Sequence, residues 1–313
     1  MHNTESKKEY SLEKALKKLE KKELKDKVID SDISFTSLIS VDHANPNGNP
    51  EDNLPRTDSD DFGVISDVCI KRKLRNRLCR MGESVFVQSD EYRSDGFKSL
   101  HERLSGNKNM QAAAKSKNPD DYKKAACKEW TDVRMFGAVL AYKGSDTVTC
   151  GIHGPVSIRI AKSCDPVTIE EMSITKSANG ETMPDGKKSP DTMGGSKAYV
   201  KYGLYVVNGN ISVQQAELTG MTYGDAEKLK YAIMTMFEGD ASSARPAGSM
   251  EVTDLVWYEQ GSKDDDHCKY STAKLHRSVS AVTEKSSPSC YDDYEISINA
   301  PEGLEPEIYK NSD

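Results

Sequence analysis

Between Asn45 and Arg80 the chain joins a stretch that cannot be helix to one that can hardly be anything else. Asn45-Pro46-Asn47-Gly48-Asn49-Pro50 excludes both a helix and a central strand. Two prolines remove backbone donors and Asn-Gly favours positive φ, so a fixed succession of turns is expected, continuing through Leu54-Pro55-Arg56-Thr57. Beyond it, the run from Ser66 has a helical period, with a start signal at Ser66 and a stop at Gly82. Ile70, Leu74, Leu78 and Met81 then fall on one apolar stripe. Lys71, Arg72 and Arg75 lie along one flank of that stripe, and Lys73, Arg77 and Arg80 along the other. A helix docked by the stripe shows cations on both sides.

Such a charge run is usually a solvated face. Two features favour more. Only Asp67 offsets the cations locally, so acid pairing four residues away does not explain them. The whole chain carries a formal charge of −7, which makes a concentrated basic element stand out. Lysine and arginine clusters of this kind neutralise phosphates and release counterions, so the helix reads as a phosphate site.

The 313 residues hold one large domain or two small ones, with 30% charged and 36% hydrophobic residues. That balance fits a compact domain with polar excursions. Seven cysteines are scattered without a CxxC pair, which argues for reduced thiols in a cytoplasm and against both a disulfide framework and zinc. His267, Cys268 and His276 form only a loose cluster, so no metal and no cofactor is expected. No stretch has the length of a membrane span or the apolar core of a secretory signal. Residues 1–31 read as an exposed, charged helical extension whose near balance of lysines and acids argues against RNA binding of its own.

Alternation of Ile33, Phe35, Ile39 and Val41 gives a half-buried strand over 33–42, and Val156, Ile158 and Ile160 give a second. Tyr199–Val207 is a third strand, Val252–Tyr258 a fourth, and Glu295–Asn299 a possible fifth. Helices are expected over 120–130, from an Asp132 cap through Leu140, and along Ala226, Leu229, Ile233, Met236 and Phe237. Residues 83–114 are mixed and polar, 177–196 read as a loop or hairpin tip, and 291–313 as an acidic, loosely held tail. Taken in order this is βαββαβ with excursions: an α+β, ferredoxin-like or RRM-like core.

Enzymatic motifs fail on spacing. The loop Asp58-Ser59-Asp60-Asp61-Phe62-Gly63 begins like a calcium site, but Phe62 stands at a ligand position and Cys69 replaces the bidentate acid. Gly186-Lys187-Lys188 has neither P-loop spacing nor the following hydroxyl, and His153 is solitary.

The series Asn-Pro-Asn-Gly-Asn-Pro, Asn53-Leu54-Pro55-Arg56 and Ile65–Asn76 resembles the CRISPR-associated Cas seven family, and within it the backbone subunit of type I-C Cascade. Segments 132–140, 154–156, 163–167, 173–176, 192–194 and 202–205 agree in the same order, so that the resemblance spans about 33–258. It implies an RRM-like palm over 32–290, a helical insertion over 83–150 and a thumb over 166–198. It also implies a non-catalytic subunit that polymerises with copies of itself along CRISPR RNA. Such a subunit presents the guide to target DNA, contacts other Cascade subunits, and recruits a helicase-nuclease through the complex. Carried over by position, the RNA contacts are Lys71, Arg72 and Arg75 on the helix and Ser66 at its start. Asn45, Asn47, Gly48 and Asn49 supply the turn, and Ser173, Thr175, Lys176 and Met193 the base of the thumb, where an apolar residue can wedge between bases. Guides vary in sequence, so binding must rest on backbone and stacking. The long charged N-terminus and Asn49, at a position where an acid is common, depart from the pattern. Two competing readings remain. One is a metal-dependent ribonuclease of type III character, using Asp42, Asp58 or Asp165; these acids match no such motif, and capping turns is their commoner role. The other is a general single-strand RNA-binding protein.

Overall fold

The computed structural model describes residues 4–6, 10–93, 95–141, 148–175, 193–261 and 268–311, without the side chains of 4–6, Thr175, Met193 and Gly194. The elements open with β1 (Thr4–Ser6), α1 (Leu12–Lys21), β2 (Asp32–Ala44), β3 (Phe62–Ile65) and α2 (Asp67–Arg80). A helical stretch follows: α3 (Leu100–Gly106), α4 (Lys108–Ala114), α5 (Pro119–Glu129) and α6 (Thr131–Phe136). Then come β4 (Gly137–Leu140), β5 (Cys150–His153), β6 (Val156–Ile158), β7 (Ala161–Pro166), β8 (Ile169–Thr175) and the long β9 (Met193–Ile211). The chain continues through α7 (Val213–Thr219), α8 (Tyr223–Met234), β10 (Met250–Gln260) and α9 (Thr272–His276). It closes with β11 (Val279–Val282), β12 (Glu295–Ile298) and β13 (Glu307–Lys310).

The main sheet runs β1-β13-β10-β2-β9-β7-β3, with β6 and β8 also paired to β9. All its pairings are antiparallel except β1 with β13. The protein is therefore mixed α+β around an antiparallel sheet. On one face Ile33, Phe35, Ile39 and Val41 of β2 meet Ile70, Leu74 and Leu78 of α2 and Leu229 and Ile233 of α8 in a single core. Burying each such side chain contributes about 1.5–3 kcal/mol, enough for three stripe residues to anchor a helix dense in like charge. A separate core unites Phe86, Leu104, Met110, Tyr122, Trp130 and Val133 from the helical stretch.

The opposite face of the sheet is covered too. Leu38 and Leu204 pack with Tyr294, and Val256 and Tyr258 with Leu275 and Val279. This corrects two expectations. β2 is buried on both faces, so that Ser34, Thr36 and Ser37 are as enclosed as its apolar residues. Nor does the C-terminal stretch hang loosely: β12 pairs with β11, and β13 adds to the main sheet beside β10 with Ile308 and Tyr309 buried. The N-terminal helix is likewise docked, with Tyr10 buried against Tyr231 and Tyr309, and with Leu12 and Ala15 on the core.

Three local readings also change. The expected second strand is broken after Ile158, so Ile160 lies exposed and Ala161 turns inward at the start of β7. Residues 100–114, read as mixed and polar, carry two helices started by Ser99 and Asn107, whose side chains accept first-turn amides. Asp132 does not cap a helix; α6 stops at Gly137, whose positive φ of 75° starts β4. A Cβ at Gly137 would lie 2.3 Å from the Ile152 carbonyl oxygen, so the corner admits only glycine.

Candidate nucleic-acid interface

The turns before α2 are built as a scaffold for its first residue. Ser66 donates its amide to Asn47 Oδ1 (2.9 Å) and caps α2 by accepting from the Cys69 amide (3.3 Å). Asn45 Nδ2 donates to the Asn53 carbonyl (2.8 Å), while the Asn49 amide donates to the Leu54 carbonyl (2.8 Å). The left-handed residues here are His43, Asn53 and Asp61, not Gly48. Asparagine and aspartate tolerate that conformation through local hydrogen bonding, so Asn53 makes the turn that Asn-Gly was expected to make. The side-chain amides of Asn45 and Asn47 thus serve the turn itself; Asn45 is buried, and Gly48 and Asn49 are half-buried.

The six cations of α2 divide sharply. Lys73 is buried and ion-paired to Asp240, which also accepts from Arg245 Nε (3.2 Å). Burial pushes the Lys73 ammonium below its usual range although Asp240 opposes this. Arg77 donates to Thr235 Oγ1 (2.7 Å) and Glu238 (3.0 Å), and Arg80 to the carbonyls of Glu238 and Gly239. One flank is therefore occupied by the stretch that follows α8. On the other flank, Arg75 Nε donates to Asp132 (2.9 Å), and its guanidinium lies 5.2 Å from the Phe136 ring. Asp132 is fully buried and also accepts from the amides of Phe86 (2.6 Å) and Val87 (3.1 Å). Arg75 is thus held by the protein's own interior.

What remains is Arg72, which is exposed, and Lys71, half-buried and held by Asp67 four residues back at 3.2 Å. Arg72 borders a cavity of ≈ 610 Å³ closed by Asn76, Ser89, Tyr92, Ser242 and Arg245. Ser89 Oγ is buried there without a protein partner, as is Arg56 Nε at the preceding turn. The surroundings are polar and mixed in charge: Lys73 and Arg245 share Asp240 at depth, and Asp90 and Glu91 lie at the exposed rim. Such a pocket can accept a phosphate at Arg72 and offer hydroxyl and amide groups to a sugar. The thiols nearby are not nucleophiles at neutral pH: burial raises Cys69, and Cys79 to about 11.

The thumb positions are only partly described. Ser173 lies exposed on β8 opposite Ser196, and Thr175 pairs through its backbone with Met193 on β9. The side chains of Thr175 and Met193, and all of Lys176, lie outside the described residues. The candidate metal acids stand apart in role. Asp42 is exposed beside His43, Asp58 is tied to Lys162 (2.6 Å) and to two loop amides, and Asp165 lies at the end of β7. Lys162 holds the Asp58 carboxyl below its usual range. Among the described residues no three His, Cys, Asp or Glu side chains converge on a metal position, and no helix is long and apolar enough to cross a membrane.

The model of the CRISPR-associated protein Cas7 family matches residues 31–299. The chain belongs to the Cas7 family. A CRISPR-associated protein Cas7 of Haloferax volcanii is 28% identical over 243 residues, covering 72% of this chain and 69% of the relative. A chain of a pre-nicking CRISPR RNA-guided surveillance complex aligns with TM-score 0.44 at 14% identity, covering 78% of this chain and 81% of its own length. A chain of another CRISPR RNA-guided surveillance complex aligns with TM-score 0.43 at 15% identity, covering 78% and 74%.

For this family member, sequence reasoning missed Asp132, Asp240 and Arg245. Asp132 and Asp240 reach α2 from far along the chain, and Arg245 joins through Asp240. Asp132 stood within a motif carrying the resemblance, and its charge opposite a basic helix was the available signal.

Proposed function

We propose that the protein is a non-catalytic, CRISPR RNA-binding backbone subunit of a type I-C Cascade, acting in the cytoplasm. Copies polymerise along the guide, present it to target DNA, and recruit the helicase-nuclease through the assembled complex. Family membership supports the class of role. The observation that carries the binding surface is the open side of α2, where Lys71 and Arg72 remain after the other cations are consumed internally. The strand order β10-β2-β9-β7, with α2 and α8 sharing one face, supports an RRM-like palm. The lobe over 83–150 and the thumb over 166–198 belong to the same reading, with Ser173, Thr175, Lys176 and Met193 placed along the bound strand.

Binding of this kind rests on phosphates. Replacing both Lys71 and Arg72 by alanine leaves the melting temperature unchanged, since neither forms the apolar stripe. Affinity for single-stranded RNA falls, and the salt dependence becomes shallower by about 0.7 per lost phosphate contact. Unchanged affinity at two salt concentrations sinks the assignment.

A further inference from the structure

Residues 1–31 nearly balance lysines against acids, but within 12–22 five lysines stand against two glutamates. The fold sorts them. Glu13 is taken by Lys17 (2.6 Å), and Glu20 by Lys25. The side chains of Lys14, Lys18 and Lys22 are left exposed, with no side-chain hydrogen bond or ion pair among the described residues. Steps of four residues place them along one face of α1 and its C-cap, Lys22, at about 6 Å intervals, a pitch comparable with that of neighbouring phosphates on a strand.

The row is fixed in place. Tyr10 anchors the start of α1, lying 5.2 Å edge-on to Tyr309 and 6.0 Å from Tyr231, with its hydroxyl on Glu227. Ser11 caps the helix. Between α1 and the body runs a cleft of ≈ 580 Å³, with Lys14, Lys18 and Lys22 on one wall and Glu227, Glu259 and Glu307 on the other. Those acids offset the row only in part, because none bonds to it directly and Lys230 is shared between two of them. Glu227 accepts from Lys230 (2.8 Å), and Glu307 from Lys230 (2.6 Å) and the Tyr309 hydroxyl (2.6 Å). Glu259 accepts from Ser31 (2.5 Å) and Tyr223 (3.1 Å). Burial would raise Glu307, yet Lys230 holds it below its usual range, with Lys18 adding a smaller pull.

The row reaches α2 from the flank that carries Arg77, not from that of Lys71 and Arg72. Both helices pack on α8, where Tyr231 touches Tyr10 and also lies 5.3 Å from the Arg77 guanidinium.

We propose that Lys14, Lys18 and Lys22 form a second nucleic-acid surface, holding the phosphodiester backbone of a strand other than the one on α2, without reading its sequence. Exposed lysines favour this occupant over an acidic protein segment. Protein interfaces are depleted in lysine, whereas a row of ammonium groups gains from releasing counterions at phosphates.

The test uses the full chain with Lys14→Gln, Lys18→Gln and Lys22→Gln combined, beside the Lys71→Ala, Arg72→Ala variant. Each is titrated with labelled duplex DNA and, separately, with single-stranded RNA over a range of salt. An unchanged melting temperature confirms that the triple variant folds. The expected result is weaker binding by the triple variant, with a salt slope shallower by about 0.9 per lysine on duplex or about 0.7 on a single strand. The ligand showing the change identifies which strand is held. Slopes unchanged on both ligands overturn the proposal. So does wild-type protein that retains neither ligand at the lowest salt, or a triple variant that loses only binding to polyglutamate. Failure of the α2 variant to weaken RNA binding counts against the guide-binding reading and leaves the α1 row standing.

Discussion

Helices α1 and α2 carry their charges in opposite fashion. In α2 six cations face one local acid, yet most are consumed by partners remote in sequence. Asp132 lies 57 positions from Arg75, Asp240 lies 167 from Lys73, and Glu238 lies 161 from Arg77. Around α1 the ion pairs among the described residues are local, at four positions for Lys17 with Glu13 and five for Lys25 with Glu20, and a whole row is left over. Local charge counting therefore overstates the free charge of α2 and understates that of α1. Free charge is a property of the fold, and only part of it is visible in a window of sequence.

The largest effect expected from this contrast is at Asp132. Removing one partner of a buried ion pair leaves an uncompensated charge, at a cost of about 3–5 kcal/mol. Asp132→Ala strands the Arg75 guanidinium and also two amides, those of Phe86 and Val87. Arg75→Ala, which the sequence alone presents as a harmless surface change, leaves Asp132 buried and unpaired by a cation. Denaturant unfolding should show both losses, with Asp132→Ala the more severe, while Arg72→Ala stays within about 0.5 kcal/mol of wild type. A loss below about 1 kcal/mol for either buried-pair variant would place Arg75 back among the surface cations.

What the sequence made legible follows the same line. Apolar periodicity located α2, α5, α8 and the strands at β2, β9 and β10, because burial at regular spacing is written locally. The cap at Ser66 was legible because it depends on a serine placed directly before a periodic run. Long-range compensation was not: nothing near Arg75 or Lys73 announces Asp132 or Asp240. The second buried face of β2 was hidden for a similar reason, since Tyr294, Leu275 and Val279 arrive over it from the far end of the chain. The split at Ile160 escaped because a register break leaves the alternation of apolar residues looking continuous.

Asp254 sharpens the contrast with a third kind of charge, one buried without a full set of partners. Its Oδ2 accepts from the Tyr291 hydroxyl (2.7 Å), while Oδ1 is buried with no partner. Burial raises its carboxyl above the ordinary range, with Tyr291 and Thr253 opposing. The sign follows directly. A carboxyl easier to protonate when folded binds more protons in the native state, so its ionisation penalises folding at neutral pH. That penalty is relieved as pH falls through the raised value, and relief is complete below the ordinary aspartate range. Asp254→Asn has no such dependence. The stability difference between variant and wild type should therefore move toward wild type on acidification, by less than the Asp132 loss because Tyr291 serves one oxygen. Melting temperatures compared at neutral and mildly acidic pH check this, and a constant difference would show that Asp254 does not titrate with folding.

The smallest effect is expected on the exposed side of α1, where it tests most directly whether unpaired charge is what matters. Glu13 is exposed, and its pair with Lys17 is solvated on all sides. Lys17 holds the Glu13 carboxyl below its usual range through their hydrogen bond, yet water and salt screen that contact in any stability measurement. Glu13→Gln should therefore leave the melting temperature where it is. It should, however, release Lys17 next to the Lys14–Lys18–Lys22 row and add one ammonium to it. Binding of a duplex, or of whichever strand the row holds, should strengthen slightly, with a salt slope steeper by at most about 0.9. The same substitution made on top of the triple glutamine variant should do little, since Lys17 and Lys21 without the row span too few phosphates. A gain of equal size in both backgrounds would mean that Lys17 acts through the overall charge of the chain and that the row has no privileged geometry.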